Sequence, residues 1–147
     1  MKAGIRSDKV IRVKNAVAAG QTTVDSDTVD TAGFESVEFM VLWGAITAGG
    51  AQSAKLQQGK ASNLSDAADL AGTAQTVADS DDNKVTRLEL IRPQERYVRA
   101  RVLRATQDSV LDGIIAILRG PRVEPITQDT TVQGTPECAI EPDEGTA

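Results

Sequence analysis

The sequence predicts an all-β protein, an antiparallel β-sandwich with an extended N-terminal arm and a C-terminal tail. Several segments alternate apolar and polar residues with a period of two, which is typical of strands with one buried face. The loops between the later strands are too short to hold crossover helices, so neighbouring strands are expected to be antiparallel. Of the 147 residues, 40% are hydrophobic and 3% are aromatic, so aliphatic side chains must fill most of the core.

The strongest predicted strand is residues 36–46. Its odd-numbered positions form a continuous apolar face that includes Phe39 and Trp43, whereas its even-numbered positions begin polar and become apolar from Met40 onward. The chain then reverses at residues 47–50, where adjacent glycines permit the positive φ angles of a tight turn. It returns through residues 54–58, and the whole segment is predicted to be a β-hairpin.

Shorter elements surround this segment. Residues 1–8 are predicted to be a free arm, and residues 9–17 a first strand. Residues 18–33 are rich in Gly, Thr, Ser and Asp, which indicates a loop or edge strands. Residues 66–72 are long enough for one helical turn closed by a glycine, and residues 73–77 are predicted to add a short strand.

Three more strands are predicted at residues 84–91, 97–104 and 113–118. The last is apolar on both faces and is therefore expected in the middle of a sheet. The short connections at residues 92–96 and 105–112 predict antiparallel hairpins. The residues expected to form most of the core are Val37, Phe39, Val41, Trp43, Leu88, Leu90, Val98, Ala100, Val102, Ile115 and Ile117.

The chain divides into an arm (residues 1–8), a sandwich body (residues 9–120) and a tail (residues 121–147). Most of the prolines lie in the tail, and no apolar periodicity continues there. Such a segment buries too little apolar surface to offset its chain entropy, so it is predicted to be extended and disordered alone. It would either become ordered on a partner or stay loose on the outer surface, where its acidic residues would keep particles apart. The anchors expected in such a contact are its spaced aliphatic residues, Val123, Ile126, Val132 and Ile140.

The composition argues against several functions. The chain has no histidine and one cysteine, Cys138, so it lacks the most common acid–base group near neutral pH and any pair of metal-binding thiols. We expect no enzyme, no cofactor and no bound metal; the acidic loop at residues 25–30 lacks the glycine and terminal glutamate of a calcium loop. No segment is long and apolar enough to cross a membrane. The N-terminus lacks the apolar stretch of a secretory signal, which predicts synthesis in the cytosol and release, if any, by lysis.

Charge is unevenly distributed along the chain. Basic residues dominate between Lys84 and Arg122, whereas every charged residue after Arg122 is acidic. Arg87, Arg99 and Arg101, with Arg104, are predicted to lie on adjacent strands and to face outward as one basic face. There they would pair with acidic groups of a neighbouring strand or bind a partner protein. The net charge of −5 and the absence of aromatic residues between these arginines argue against a nucleic-acid partner.

Several motifs together resemble a known family. They are Asp30-Thr31-Ala32-Gly33-Phe34-Glu35-Ser36-Val37 before an apolar strand, Gly44-Ala45-Ile46-Thr47, Lys55-Leu56-Gln57, Arg96-Tyr97-Val98-Arg99 and Ile115-Ala116-Ile117-Leu118-Arg119-Gly120-Pro121. Across roughly residues 25–123 the chain is similar to the head decoration, or cement, proteins of tailed bacteriophages. The resemblance implies a jelly-roll-like sandwich on the outside of a virion, bound to the major capsid protein and self-associating, for example as a trimer, at capsid symmetry axes. The family usually ends soon after the Gly-Pro, whereas this chain continues for 27 residues.

Two other functions stay open. The protein could be another virion component, such as a tail protein or a carbohydrate-binding surface module, although sugar binding normally uses exposed aromatic residues. An enzyme with paired carboxylates is the third class, but the acidic residues cluster in loops where solvation explains them.

Overall fold

The computed structural model describes residues 4–134 and Glu144, and the regular secondary structure of these residues is almost entirely β-strand. A single helical turn at Gly4–Ser7 precedes the first strand, and a 3-10 turn lies at Asp79–Asp81. Within the described residues the strands are β1 (Lys9–Lys14), β2 (Val17–Gly20), β3 (Val24–Asp25), β4 (Val29–Asp30), β5 (Ser36–Ile46), β6 (Ala51–Gly59), β7 (Ala68–Asp69), β8 (Gln75–Val77), β9 (Val85–Ile91), β10 (Tyr97–Ala105) and β11 (Ser109–Arg119).

The strands form two antiparallel sheets packed face to face. Sheet I has the order β1-β11-β5-β9, and β2 also pairs with β11. Sheet II has the order β3-β10-β6-β7, and β4 and β8 pair with β10 and β6. If β1 and β2, β3 and β4, and β7 and β8 are each taken as one interrupted strand, this is the strand order of a jelly roll. The predicted antiparallel, jelly-roll-like β-sandwich is therefore confirmed.

The three predicted hairpins between long strands are wrong. β5 and β6 lie in different sheets, and so do β9 and β10 and also β10 and β11. Both edges of β5 are already occupied, because β11 pairs with one and β9 with the other. The turn at residues 47–50 therefore carries the chain across the sandwich from sheet I to sheet II.

The shorter elements differ from the predictions in detail. The first strand stops at Lys14, and β2 resumes at Val17. Residues 66–72 contain no helix; they form turns around the two-residue strand β7, and Asp66 accepts hydrogen bonds from the backbone N–H groups of Lys60 and Ala61. The predicted strand at residues 73–77 is confirmed as β8.

The core lies between the two sheets and is aliphatic except for Phe39 and Trp43. Of the predicted core residues, Leu90 is half-buried against the core, and only Ile115 and Ile117 lie on the wrong face. These two residues belong to the segment 113–118, which was predicted to lie in the middle of a sheet. That prediction is confirmed, since β11 lies between β1 and β5. The remaining predicted core residues are buried: Val37, Phe39, Val41, Trp43, Leu88, Val98, Ala100 and Val102.

A β-bulge explains the error in β11. The register of β11 against β5 shifts between Leu111 and Gly113, so the inward positions change from odd to even numbers. Ile114, Ala116 and Leu118 consequently face the core, and Ile115 and Ile117 face outward from sheet I. Because all of these side chains except alanine are large and aliphatic, alternation alone could not choose between the two faces.

Candidate functional site

The three predicted arginine contacts do not share a surface. Arg87 lies on β9 and projects from the outer face of sheet I, whereas Arg99 and Arg101 lie on β10 and project from the outer face of sheet II. Consecutive strands here belong to opposite sheets, so residues that are close in the sequence are placed on opposite sides of the sandwich. The single basic face that the sequence predicted does not exist.

Arg87 belongs to an ion-pair network on sheet I. Its Nε donates to Oε1 of Glu38 on β5, and Nη1 of Arg119 on β11 lies 2.5 Å from Oε2 of the same carboxylate. The Glu38 side chain is only 2% exposed although it lies on the outer face. The hydrogen bond from Arg87, and then that from Arg119, lower the pKa of Glu38 despite its burial. The network therefore links the two central strands of sheet I, β5 and β11, to the edge strand β9.

Arg99 and Arg101 share the carboxylate of Asp25 on β3. Arg101 donates two hydrogen bonds to Asp25, at 2.7 and 2.8 Å, and Arg99 lies 3.4 Å from it. The bidentate hydrogen bond from Arg101 is the main reason that the pKa of Asp25 is lowered. Arg99 also donates to Oε1 of Gln57 at 2.8 Å. The sequence analysis offered two roles for these arginines, pairing with a neighbouring strand or binding a partner. In the structure Arg99 and Arg101 pair with residues of neighbouring strands.

Arg104 is buried, contrary to the prediction that it faces outward. It follows Val98, Ala100 and Val102 on the inward side of β10 and is 3% exposed. Its guanidinium donates to the carbonyl oxygens of Ala18, Thr22 and Ser109 and to the hydroxyl of Thr22. Desolvation lowers its pKa from the usual value. It fastens the chain around residues 18–22 to the end of β10.

The first part of the tail runs along the free edge of β1, so the prediction that the tail is disordered without a partner is wrong for this part. The side-chain Oε1 of Gln128 accepts a hydrogen bond from the Val10 N–H at 3.0 Å, and Oγ1 of Thr131 accepts one from the Arg12 N–H at 2.9 Å. Gln128 also donates to the carbonyl oxygens of Ile5 and Asp8, at 3.1 and 2.7 Å. The prediction of a free arm is therefore wrong for residues 4–8, which form a helical turn and bond to the tail. This segment therefore satisfies the donors of an edge strand with side chains and does not itself become a strand.

The predicted tail anchors have different environments. Ile126 and Val132 are half-buried against the body, whereas Val123 is 77% exposed. Val132 borders a cavity of about 430 Å³ between the tail and the outer face of sheet I, whose other apolar walls include Leu42 and Ile115. Ile140 lies outside the described residues.

A cleft that the sequence analysis missed opens at one end of the sandwich. Its volume is about 620 Å³, and its walls come from residues 31–35, 92–96 and 120–122. Arg96 in its wall makes a bidentate pair with Asp30, at 2.9 and 2.8 Å, and lies over the ring of Tyr97. The other two arginines of the cleft, Arg92 and Arg122, are exposed and have no ion-pair partner among the residues described.

Strand direction explains why these three loops meet. The start of β5 pairs with the ends of β9 and β11, since Ser36 lies opposite Ile91 and Arg119. The loops before β5, after β9 and after β11 must then share one end of sheet I. Antiparallel pairing of these three strands would have predicted the cleft from the sequence. The motifs around residues 30–37, 96–99 and 115–121 that carry the family resemblance converge at this end.

The described residues offer little to the alternative functions. No group of three or more metal-binding side chains occurs among residues 4–134 and Glu144. The two ends of the acidic loop, Asp25 and Asp30, are already paired with arginines. Trp43 is buried and donates to Thr86, and Phe39 is buried in the core. In the part of the chain that is described, no helix is long and apolar enough to span a membrane.

Comparison with known proteins adds a weak structural likeness. No protein-family model and no curated protein matches the chain. Among solved structures, the chain is similar to dimeric latent PorU from Porphyromonas gingivalis, with 12% sequence identity and a TM-score of 0.40. The similarity covers 77% of this chain and spans only 12% of the PorU chain. A likeness of this size carries no argument about function.

Proposed function

We propose that the protein is a structural component of a bacteriophage virion that binds the outer surface of the capsid and stabilises the shell. Its partner would be the major capsid protein, and its location the capsid exterior after synthesis in the host cytoplasm. The proposal starts from the family resemblance and from a body in which the predicted contact arginines Arg87, Arg99 and Arg101 make ion pairs with carboxylates on neighbouring strands.

The observation that carries the proposal is the course of the C-terminal segment. After β11 the chain leaves the sandwich, is held at Arg122 by a hydrogen bond to the Gly33 carbonyl, and follows β1 through Gln128 and Thr131. Gln128 and Thr131 bond to the β1 backbone through their side chains, and the segment forms no strand of either sheet within the described residues. We call this C-terminal segment the strap. Its polar side chains can bond to the open strand edge of a neighbouring protein as they bond to β1.

Length and position also suit a shell-binding strap. The 27 residues after Gly120 could reach on the order of 80 Å if fully extended, which is enough to pass from one shell subunit to the next. The exposed Val123 lies near the end cleft, next to the loops that form its walls. Loop clusters on a rigid scaffold are common binding surfaces, and we assign the cleft and the tail to the same contact.

Deletion of residues 123–147 tests the proposal. Full-length and truncated protein would each be mixed with empty heads assembled from the major capsid protein of the phage that encodes this chain. We expect the full-length protein to sediment with the heads and to raise their resistance to heating, and the truncated protein to remain mostly in the supernatant. Far-ultraviolet circular dichroism should show that the truncated body keeps its β-structure. Full occupancy and full heat resistance after the deletion would contradict the strap, and no binding by the full-length chain would contradict the function.

A further inference from the structure

β9 forms the edge of sheet I opposite β1, and no part of the tail within the described residues bonds to it. β9 pairs only with β5. The bond from Trp43 N–H to the Lys84 carbonyl, at 3.0 Å, and that from Arg92 N–H to the Glu35 carbonyl, at 2.7 Å, establish which residues face β5. Antiparallel bonding alternates, so the backbone groups of the intervening odd-numbered residues point to the free edge: Val85, Arg87, Glu89 and Ile91.

These outward backbone groups are unpaired within the described part of the chain. On the opposite edge of sheet I, the corresponding donors of β1 are satisfied by Gln128 and Thr131. On β9, no side chain or loop of the described residues bonds to them. A seven-residue strand with a free row of donors and acceptors is a template for pairing with another strand.

The side chains along this edge are also exposed and chemically varied. Val85 and Ile91 are 47% and 67% exposed, and they are two of the large hydrophobic residues left outside the core. Arg87 and Glu89 lie between them with exposed side chains, at 63% and 45%. The outer face of β9 therefore reads apolar, basic, acidic, apolar from one end to the other.

This order is complementary to itself when the strand is reversed. We propose that β9 pairs with β9 of a second copy of this chain, antiparallel and about a two-fold axis at Leu88. Val85 then lies opposite Ile91 of the second copy, and Arg87 lies opposite Glu89 of the second copy, each pair occurring twice. The paired positions are those whose backbone groups point outward, so the ladder of hydrogen bonds is geometrically consistent.

The charges select this register over its neighbours. A shift of the second strand by two residues in one direction places Arg87 opposite itself on the axis, and a shift in the other direction places Glu89 opposite itself. Both alternatives put like charges in directly opposed positions, which is unfavourable. Only the axis at Leu88 pairs all four outward residues with a complementary partner.

The pairing joins the two copies of sheet I into one continuous sheet. A two-fold contact uses the same surface on both copies and closes at two, so this edge gives a dimer and not a trimer. Arg87 would then lie between Glu38 of its own chain and Glu89 of the second copy, which extends the ion-pair network across the interface. The inference does not depend on the proposed capsid function.

Charge reversal of Glu89 tests the pairing. In sedimentation equilibrium at tens of micromolar protein, we expect the wild type to be a dimer. The dissociation constant of the Glu89→Arg dimer should be at least 10-fold higher, because the new arginine then lies opposite Arg87 of the second copy. Added salt should weaken the wild-type dimer and strengthen that of Glu89→Arg, since it screens attraction in one and repulsion in the other. Glu144→Arg makes the same change in net charge at an exposed tail position and should behave as the wild type. A monomeric wild type, or equal loss in both variants, would overturn the proposal.

Disulfide trapping tests the register with substitutions at exposed positions only. In a Cys138→Ser background, Val85→Cys with Ile91→Cys should form covalent dimers under mild oxidation, because residues 85 and 91 of opposite copies are hydrogen-bonded neighbours about 5.5 Å apart at Cα. Val85→Cys alone should not, since the two copies of residue 85 would lie about 20 Å apart along the strands. A double variant that stays monomeric on non-reducing gels, or a single variant that crosslinks equally, would contradict the β9 pairing even if the protein is a dimer.

Discussion

Gln128 is predicted to hold the tail against the body, and replacing it should open this contact without unfolding the sandwich. Its side chain makes three hydrogen bonds, to the Val10 N–H and to the carbonyl oxygens of Ile5 and Asp8. Each is worth about 0.5–1.5 kcal/mol when formed in place of bonds to water. Because the site is only partly buried, we expect Gln128→Ala to cost about 1–2 kcal/mol of local stability, or roughly a 5- to 30-fold change in the opening equilibrium.

Amide hydrogen exchange of β1 measures this opening residue by residue. The Val10 amide should exchange roughly 5- to 30-fold faster in Gln128→Ala, whereas the Ile11 amide, which points to β11, should be unchanged. Gln133→Ala is the matched control, because Gln133 is exposed and makes no hydrogen bond within the described residues. The midpoint of thermal unfolding should stay nearly constant in both variants. Unchanged exchange at Val10 in Gln128→Ala, or an equal effect of Gln133→Ala, would refute the docked tail.

Two further predictions concern the body. Trp43→Phe should lower the free energy of unfolding in urea by about 1–3 kcal/mol, because it leaves the buried Thr86 hydroxyl without its indole partner at 2.9 Å. A double-mutant cycle with Thr86→Val should give a coupling energy of about 1 kcal/mol. A coupling energy of zero would contradict this hydrogen bond. The lowered pKa of Glu38 predicts a contribution to stability that is complete above its usual value of 4.5 and is lost as the pH falls through the lower folded-state pKa. The difference in unfolding free energy between the wild type and Glu38→Gln should therefore shrink below pH 4.5. A difference that is constant with pH would contradict the ionised Glu38 clamp.

The sequence predicted strands well because alternation directly reports which side chains are buried. β5, β9 and β10 have the predicted inward residues, including Phe39 and Leu88. It failed for β11 because both faces are aliphatic there and the bulge at Gly113 changes the phase. It failed for Arg104 because a charged residue was expected to be exposed. Arg104 lies two residues after Val102 in the same strand, and this spacing predicts a side chain on the same, inward face.

Other features depend on contacts that local sequence does not report. Glycine and proline mark where the chain turns, but the same residues serve a hairpin within one sheet and a crossing between two sheets. The prediction of three hairpins, and of one basic face on adjacent strands, failed for this reason. The docking of the tail was invisible because Gln128 and Thr131 are ordinary polar residues in a segment without periodicity.

The position of β11 sets the order in which the protein can be completed. β11, the last long strand of the described residues, lies in the middle of sheet I, between the first strand and β5. On the ribosome, β1 and one edge of β5 cannot pair with β11 until residues 109–119 have left the exit tunnel. The apolar side chains of β5 stay accessible to solvent during that interval. Folding of sheet I is therefore expected to be largely post-translational and limited by long-range pairing. Fragments that end before residue 109 should aggregate, whereas loss of the tail after β11 should leave the sandwich able to form.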